Sequence, residues 1–232
     1  SGFGAISLLS AILWFIFGKA QRIPPNDETK PITRQAWEVL RDRNTLLISA
    51  ADAGPLGLLT VVMAWIPTFY HDTYGMSLTK GGTLMGLLSL SGIVALVLAS
   101  FLSTKTTQRK LFLIVPGVLI GLSGLTAVLM TNSVVIYISL ATLGFAAWFY
   151  IPALMTIPME LYSKDPQRVS LIFATLMSIG GIVSFVASPT VGAIADLSGS
   201  LVHGISVFAV MAWSLAIAGI LLPETGTVRT KK

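Results

Sequence analysis

Apolar residues in this chain come in blocks of about twenty, the length of a membrane-spanning helix, and the polar residues gather in short clusters between them. Seven blocks can be marked, at 3–18, 46–70, 82–103, 111–130, 134–155, 169–194 and 202–222. At 1.5 Å per residue, a helix needs roughly 17–25 apolar residues to cross the hydrocarbon layer of a bilayer. The first block is short, and part of that helix is expected upstream of Ser1. Residues 65–103 show the pattern best. A helix closes on an aromatic rim marked by proline (Trp65, Pro67, Phe69, Tyr70), a polar turn follows, and a second long apolar helix begins. With 46–64 in front, this is a helical hairpin with both arms long enough to span. The pattern predicts an all-α, polytopic helical membrane bundle of about seven spans.

Composition supports that reading. The chain is 54% hydrophobic and 11% charged, against roughly 25% charged in soluble domains. A soluble fold would have too few charges to cover its surface. Cysteine is absent, which excludes disulfides, thiolate metal sites and a cysteine nucleophile.

The net charge of +5 matters through its placement. All but one of the fifteen Lys and Arg fall on alternate connections, after the first, third, fifth and seventh blocks; the exception is Lys80. Cytoplasmic loops collect Lys and Arg. Those connections and the C-terminal tail are therefore expected in the cytoplasm, and Ser1 outside. Charge dispersed along a membrane face argues against a nucleic-acid partner and for a lipid bilayer. The longest connection, 19–44, holds Pro24, Pro25 and Pro31. Within it Ile32, Ala36, Val39 and Leu40 repeat at helical spacing, so 32–43 reads either as a short surface helix with Trp37 at headgroup depth or as a lead-in to the second span.

Enzyme signatures are missing. There is no H-E-x-x-H, no phosphate-binding G-x-x-x-x-G-K-[ST] loop, no pair of intramembrane aspartates, and no Ser with a His at like depth. His71 and His203 are isolated on the outer side, too few to hold a metal. No enzyme activity and no cofactor are expected.

Four local patterns remain: the aromatic rim, turn and GGTLMGLLSLSG over 65–92; the basic loop 105–110; PMELYSKDPQRVS over 158–170; and SPTVGAIADLSGS over 188–200. With the closing LLPETG at 221–226, these make the whole chain resemble the C-terminal half of a major facilitator superfamily transporter. It looks like the sixth helix, the central loop and helices seven to twelve, with a loose similarity to organic-anion and cyanate-permease-like branches. The loop 103–110 departs from the family signature, matching only through Arg109 and Lys110 and lacking its acidic residue. The resemblance implies four parts. Residues 1–18 would end the N-terminal half, 19–44 would be the cytoplasmic loop, 45–223 a six-helix bundle and 224–232 a cytoplasmic tail. A six-helix partner half would lie outside this sequence.

Candidate sites follow. Asp52 is the one acid well inside a span, nine residues past Arg43 and so about 13 Å along the helix. Charges at such depth are costly and face a cavity or a partner. Asp52 is therefore a coupling carboxylate or polar anchor beside a solute path, or, if the span starts later, an interfacial cap before Gly54 and Pro55. The resemblance implies inverted three-helix repeats with the solute site between them, equating helix 46–70 with helix 134–155. Each carries a Trp ahead of a Pro, Trp65 with Pro67 and Trp148 with Pro152. Thr60, Trp65, Tyr137 and Trp148 join Asp52 as substrate-cavity candidates, with lipid-facing aromatics as the alternative for the rings. Glu160 and Arg168, which would pair in one transport state, and Arg109 are the gating-loop candidates; the alternative is solvated loop charges of little energetic weight. Gly82, Gly86 and Ser89, and Gly117, Gly121 and Gly124, form small-residue faces expected to pack closely. The expected function is secondary active transport of a small solute, an organic anion or similar metabolite, across the cell (inner) membrane. The alternating-access mechanism would be proton-coupled. A non-transporting membrane sensor or scaffold with the same fold is the alternative.

Overall fold

The computed structural model describes residues 32–105 and 108–226. The block at 3–18, the whole of the loop before residue 32, residues 106–107 and the last six residues lie outside the described residues. The chain divides into two compact units, Ser1–Arg34 and Gln35–Lys232, and the second carries the bundle.

A separate short helix, α1 (Ile32–Arg41), occupies most of the stretch 32–43. It stops earlier because Asp42 turns extended and caps the next helix, its carboxylate accepting from the Thr45 N–H at 3.1 Å. Val39 is buried, whereas Trp37 is 62% exposed beneath the Arg41 guanidinium, 5.5 Å from the ring centroid.

Eight further helices follow: α2 (Arg43–Tyr74), α3 (Leu78–Lys105), α4 (Leu111–Leu129), α5 (Ser133–Phe149), α6 (Ile151–Leu161), α7 (Pro166–Ser198), α8 (Leu201–Met211) and α9 (Ser214–Leu221). They make six helices long and apolar enough to cross a membrane, with α5–α6 and α8–α9 each joined end to end as one span. The six coincide with the second to seventh blocks of the sequence, to within a turn at most ends. Among the described residues there is no strand.

Helix α2 is the axis of the bundle, packed by α7, α9, α8 and α3, while α5 fits between α3 and α4. Small residues let these backbones approach. A β-carbon on Gly117 would strike the backbone of Ala216, one on Gly121 the Trp213 ring, and one on Gly124 the side chains of Leu58 and Ala209. That glycine face packs as expected. The other does not: Gly82 and Gly86 on α3 face open space among the described residues. Helices α3 and α7 are the least buried spans and hold large apolar side chains outward, such as Leu90, Phe101 and the 82% exposed Phe185. Apolar patches of that extent belong against lipid or another helix bundle.

The α5–α6 span is broken at Tyr150. Pro152 has no N–H to give to the preceding turn, so the ladder of helical hydrogen bonds is interrupted there. Tyr150 ends one helix, and its carbonyl accepts from the Leu154 N–H at 2.9 Å to start the next. Helix α2, by contrast, runs unbroken through both Pro55 and Pro67.

Candidate functional site

Asp52 lies inside α2, about two and a half turns from its start, and is 7% exposed. The helix begins at Arg43 with Asp42 as its cap, so Asp52 is an interior residue of the helix. One carboxylate oxygen accepts a 2.9 Å hydrogen bond from the Tyr150 hydroxyl at the break between α5 and α6. The other faces Gly180 of α7, where a β-carbon would come within 3.4 Å of it. Three helices thus meet at one carboxylate, and the described residues offer it no Lys or Arg. Buried hydroxyls flank this point. Ser49, one turn earlier on α2, and Ser184, one turn beyond Gly180 on α7, have no partner among the described residues. Buried polar groups normally find one, so these mark where water or solute would be accommodated.

The other cavity candidates fall at varied places. Thr60 lies two turns beyond Asp52 on the partly open stripe of α2 that starts at Leu56, its hydroxyl turned back to the Leu56 carbonyl at 2.9 Å. Trp65 donates its indole N–H to the Ser188 carbonyl at 3.1 Å and covers Gly192, joining α2 to α7. Trp148 packs on Gly92 of α3, and Gly144 sits against the Leu88 carbonyl, so this face of α5 meets α3. Tyr137 is exposed at the opposite end of α5. Among the described residues, Asp52 is hydrogen-bonded to Tyr150 and not to any of these four. The sequence reading missed Tyr150; its signal was an aromatic hydroxyl two residues before Pro152.

Two polar clusters close the end of the bundle that carries the basic loops. In the first, Arg109 donates to Glu160 Oε1 at 2.9 Å, to the Ser103 carbonyl, and through its backbone N–H to Glu224 Oε1 at 2.7 Å. Thr225 donates to the second oxygen of Glu160. In the second, Asp42 accepts from the Tyr162 hydroxyl at 2.8 Å and pairs with Arg168 at 3.4 Å, and Arg168 lies 4.3 Å over the Tyr162 ring. In this structure Glu160 and Arg168 are not paired with each other: Glu160 takes Arg109, and Arg168 takes Asp42. Burial works to raise the Asp42 pKa, but hydrogen bonds from Tyr162 and Thr45 and the Arg168 charge outweigh it, so the carboxyl titrates below its usual range. Burial, with the bond to Asp42, pushes the Tyr162 phenol up. No cluster of metal-ligating side chains occurs among the described residues.

A bundle of six apolar helices with outward-facing apolar flanks is an integral, multi-pass membrane protein. The family model of the Major Facilitator Superfamily matches residues 2–184, and the chain belongs to that superfamily, whose members are membrane transporters of small solutes and not enzymes. No curated protein matches the chain.

Proposed function

We propose that the chain is the C-terminal half of a secondary active transporter that moves a small organic anion or similar metabolite by alternating access, with proton uptake at Asp52 as the coupling step. The observation that carries this reading is the Asp52–Tyr150 bond: a carboxylate in mid-bundle with a phenol for a partner and no cation beside it. An uncompensated charge at that depth is costly, and a proton arriving with the solute removes it. Protonation gives Asp52 an O–H donor and removes the charge that strengthens its bond from Tyr150, and Tyr150 is the joint between α5 and α6. The far end of α6 is held by the Arg109–Glu160 and Asp42–Tyr162 contacts. Breaking them frees α6 to tilt at the joint, which gives Arg109, Glu160 and Arg168 their gating role.

In this reading 1–18 closes the preceding half, 19–44 is the central loop, 45–223 the six-helix bundle and 224–232 the tail. The basic connections support a cytoplasmic loop and tail, and the same reading takes the membrane to be the cell (inner) membrane. The partner half covers the open faces of α3 and α7, and Thr60, Tyr137 and Trp148 border the solute path. The test is uptake into proteoliposomes holding the complete transporter, driven by an inward proton gradient, over a panel of organic acids. Asp52→Asn is expected to abolish gradient-driven accumulation and leave solute exchange intact. Accumulation that survives the substitution would remove the coupling role, and absence of flux across the panel would favour a sensor.

A further inference from the structure

We propose that the end of the bundle opposite the ion-pair clusters binds a small soluble organic anion through its carboxylate or phosphate group. A cavity of about 510 Å³ lies there between two helical hairpins, within the roughly 300–1,000 Å³ range of small-molecule sites. Tyr74, Ser77 and Lys80 line it from the α2–α3 connection, and Thr131, Ser133 and Ile136 from the α4–α5 connection.

Charge selects the ligand. Lys80 is the single Lys or Arg that breaks the alternation of basic connections, a departure that neither fold nor topology requires. Its backbone N–H meets the Ser77 hydroxyl at 3.4 Å, but its ammonium has no partner among the described residues. No carboxylate lines the cavity, whereas Tyr74, Ser77, Thr131 and Ser133 supply hydroxyls. One cation and several neutral donors suit a carboxylate or phosphate, and the Tyr74 ring and Ile136 suit a short carbon skeleton.

The walls are built before any ligand arrives. Gly75 takes a left-handed conformation at φ 61°, and its N–H bonds the His71 carbonyl at 3.0 Å while the Met76 N–H bonds the Tyr70 carbonyl at 3.2 Å. His71 Nδ1 lies 2.9 Å from the Met76 carbonyl and ties the same turn again. The buried Tyr70 hydroxyl donates to the Ala127 carbonyl at 2.7 Å, fixing the first hairpin to the second. Asn132 caps α5 by accepting from the Val134 N–H at 2.9 Å. Two stiff turns joined by a buried bond keep the cavity open at little ordering cost, which favours binding.

The site uses none of the Asp52 machinery, so it stands or falls by binding and not by flux. This chain contributes no cysteine of its own; with any cysteine of the preceding half changed to serine, a single environment-sensitive fluorophore is placed through Thr73→Cys beside the cavity, in the full-length protein in phosphatidylcholine nanodiscs. Titration with succinate and with inorganic phosphate at constant ionic strength is expected to give a saturable signal with at least one of them. Lys80→Gln should weaken it about tenfold or more, the share of one charge-assisted hydrogen bond, Lys80→Arg should retain it, and Asp52→Asn should leave it unchanged. A signal absent with both probes, or equal in Lys80→Gln, overturns the proposal. So does a signal produced by phosphatidylglycerol nanodiscs alone that neither solute then alters, because the site would be reading lipid headgroups.

Discussion

A phenol 98 residues away along the chain supplies the hydrogen bond to Asp52, and a hydrogen bond to a charged group contributes more than one between neutral groups. Tyr150→Phe keeps the ring and removes that bond alone. It should destabilise the detergent-solubilised protein by about 1–3 kcal/mol in thermal melting; an unchanged melt would mean that the hydroxyl bond is not made in solution. Asp42 gives a prediction in pH. Its folded-state pKa is depressed, so its contribution is present above the unfolded value and is lost as pH falls through the folded one. The stability gap between the native chain and Asp42→Asn should therefore be constant near neutrality and close below about pH 4. A gap that instead widened on acidification would contradict the assigned partners.

At the scale of elements, glycines decide which helices touch. A β-carbon on Gly54 would meet the Met211 carbonyl and the Ser214 hydroxyl, and Ser214 itself donates to the Ala50 carbonyl at 2.7 Å. Backbone cannot yield as a flexible side chain does, so Gly54→Val should cost at least about 1–3 kcal/mol by overpacking and separate α2 from the α8–α9 joint. Gly86→Val, on the open face of α3, should leave the melting of the six-helix bundle unchanged. The pair is checked by side-by-side thermal unfolding, and equal losses would show that the α3 face is covered. The joint between α5 and α6 follows from Pro152, yet Pro55 and Pro67 leave α2 unbroken. Proline alone therefore did not say where a span would break; neighbours that hold a helix straight or let it part decide that.

For the whole molecule, the two polar clusters gather the start of α2, the end of α6, the start of α7, the α3–α4 connection and residues 224–225 at one end. The Lys80 cavity lies at the other. Between them the bundle keeps an apolar core and also holds large apolar side chains outward on α3 and α7, which suits lipid surroundings or a second bundle. The acidic residue missing from the loop 103–110 is replaced in space: Arg109 finds Glu160 from α6 and Glu224 from the tail. Ion pairs of this kind are not readable from one loop, because their members come from distant segments.

The sequence by itself determined the spans, the membrane class and the family. Hydrocarbon thickness sets the length of each apolar block, and every backbone group in lipid must be satisfied within its own helix. It also singled out Asp52 by the cost of a charge at depth, and the packing of Gly117, Gly121 and Gly124. Only the tertiary structure decided what Asp52 touches, that Trp148 packs on Gly92, that Glu160 and Arg168 take separate partners, and that Gly82 and Gly86 meet nothing among the described residues. Helical periodicity tells which residues share a face but not which helix that face meets. That choice is made by the joint fit of all the helices, through contacts between residues tens to more than a hundred positions apart.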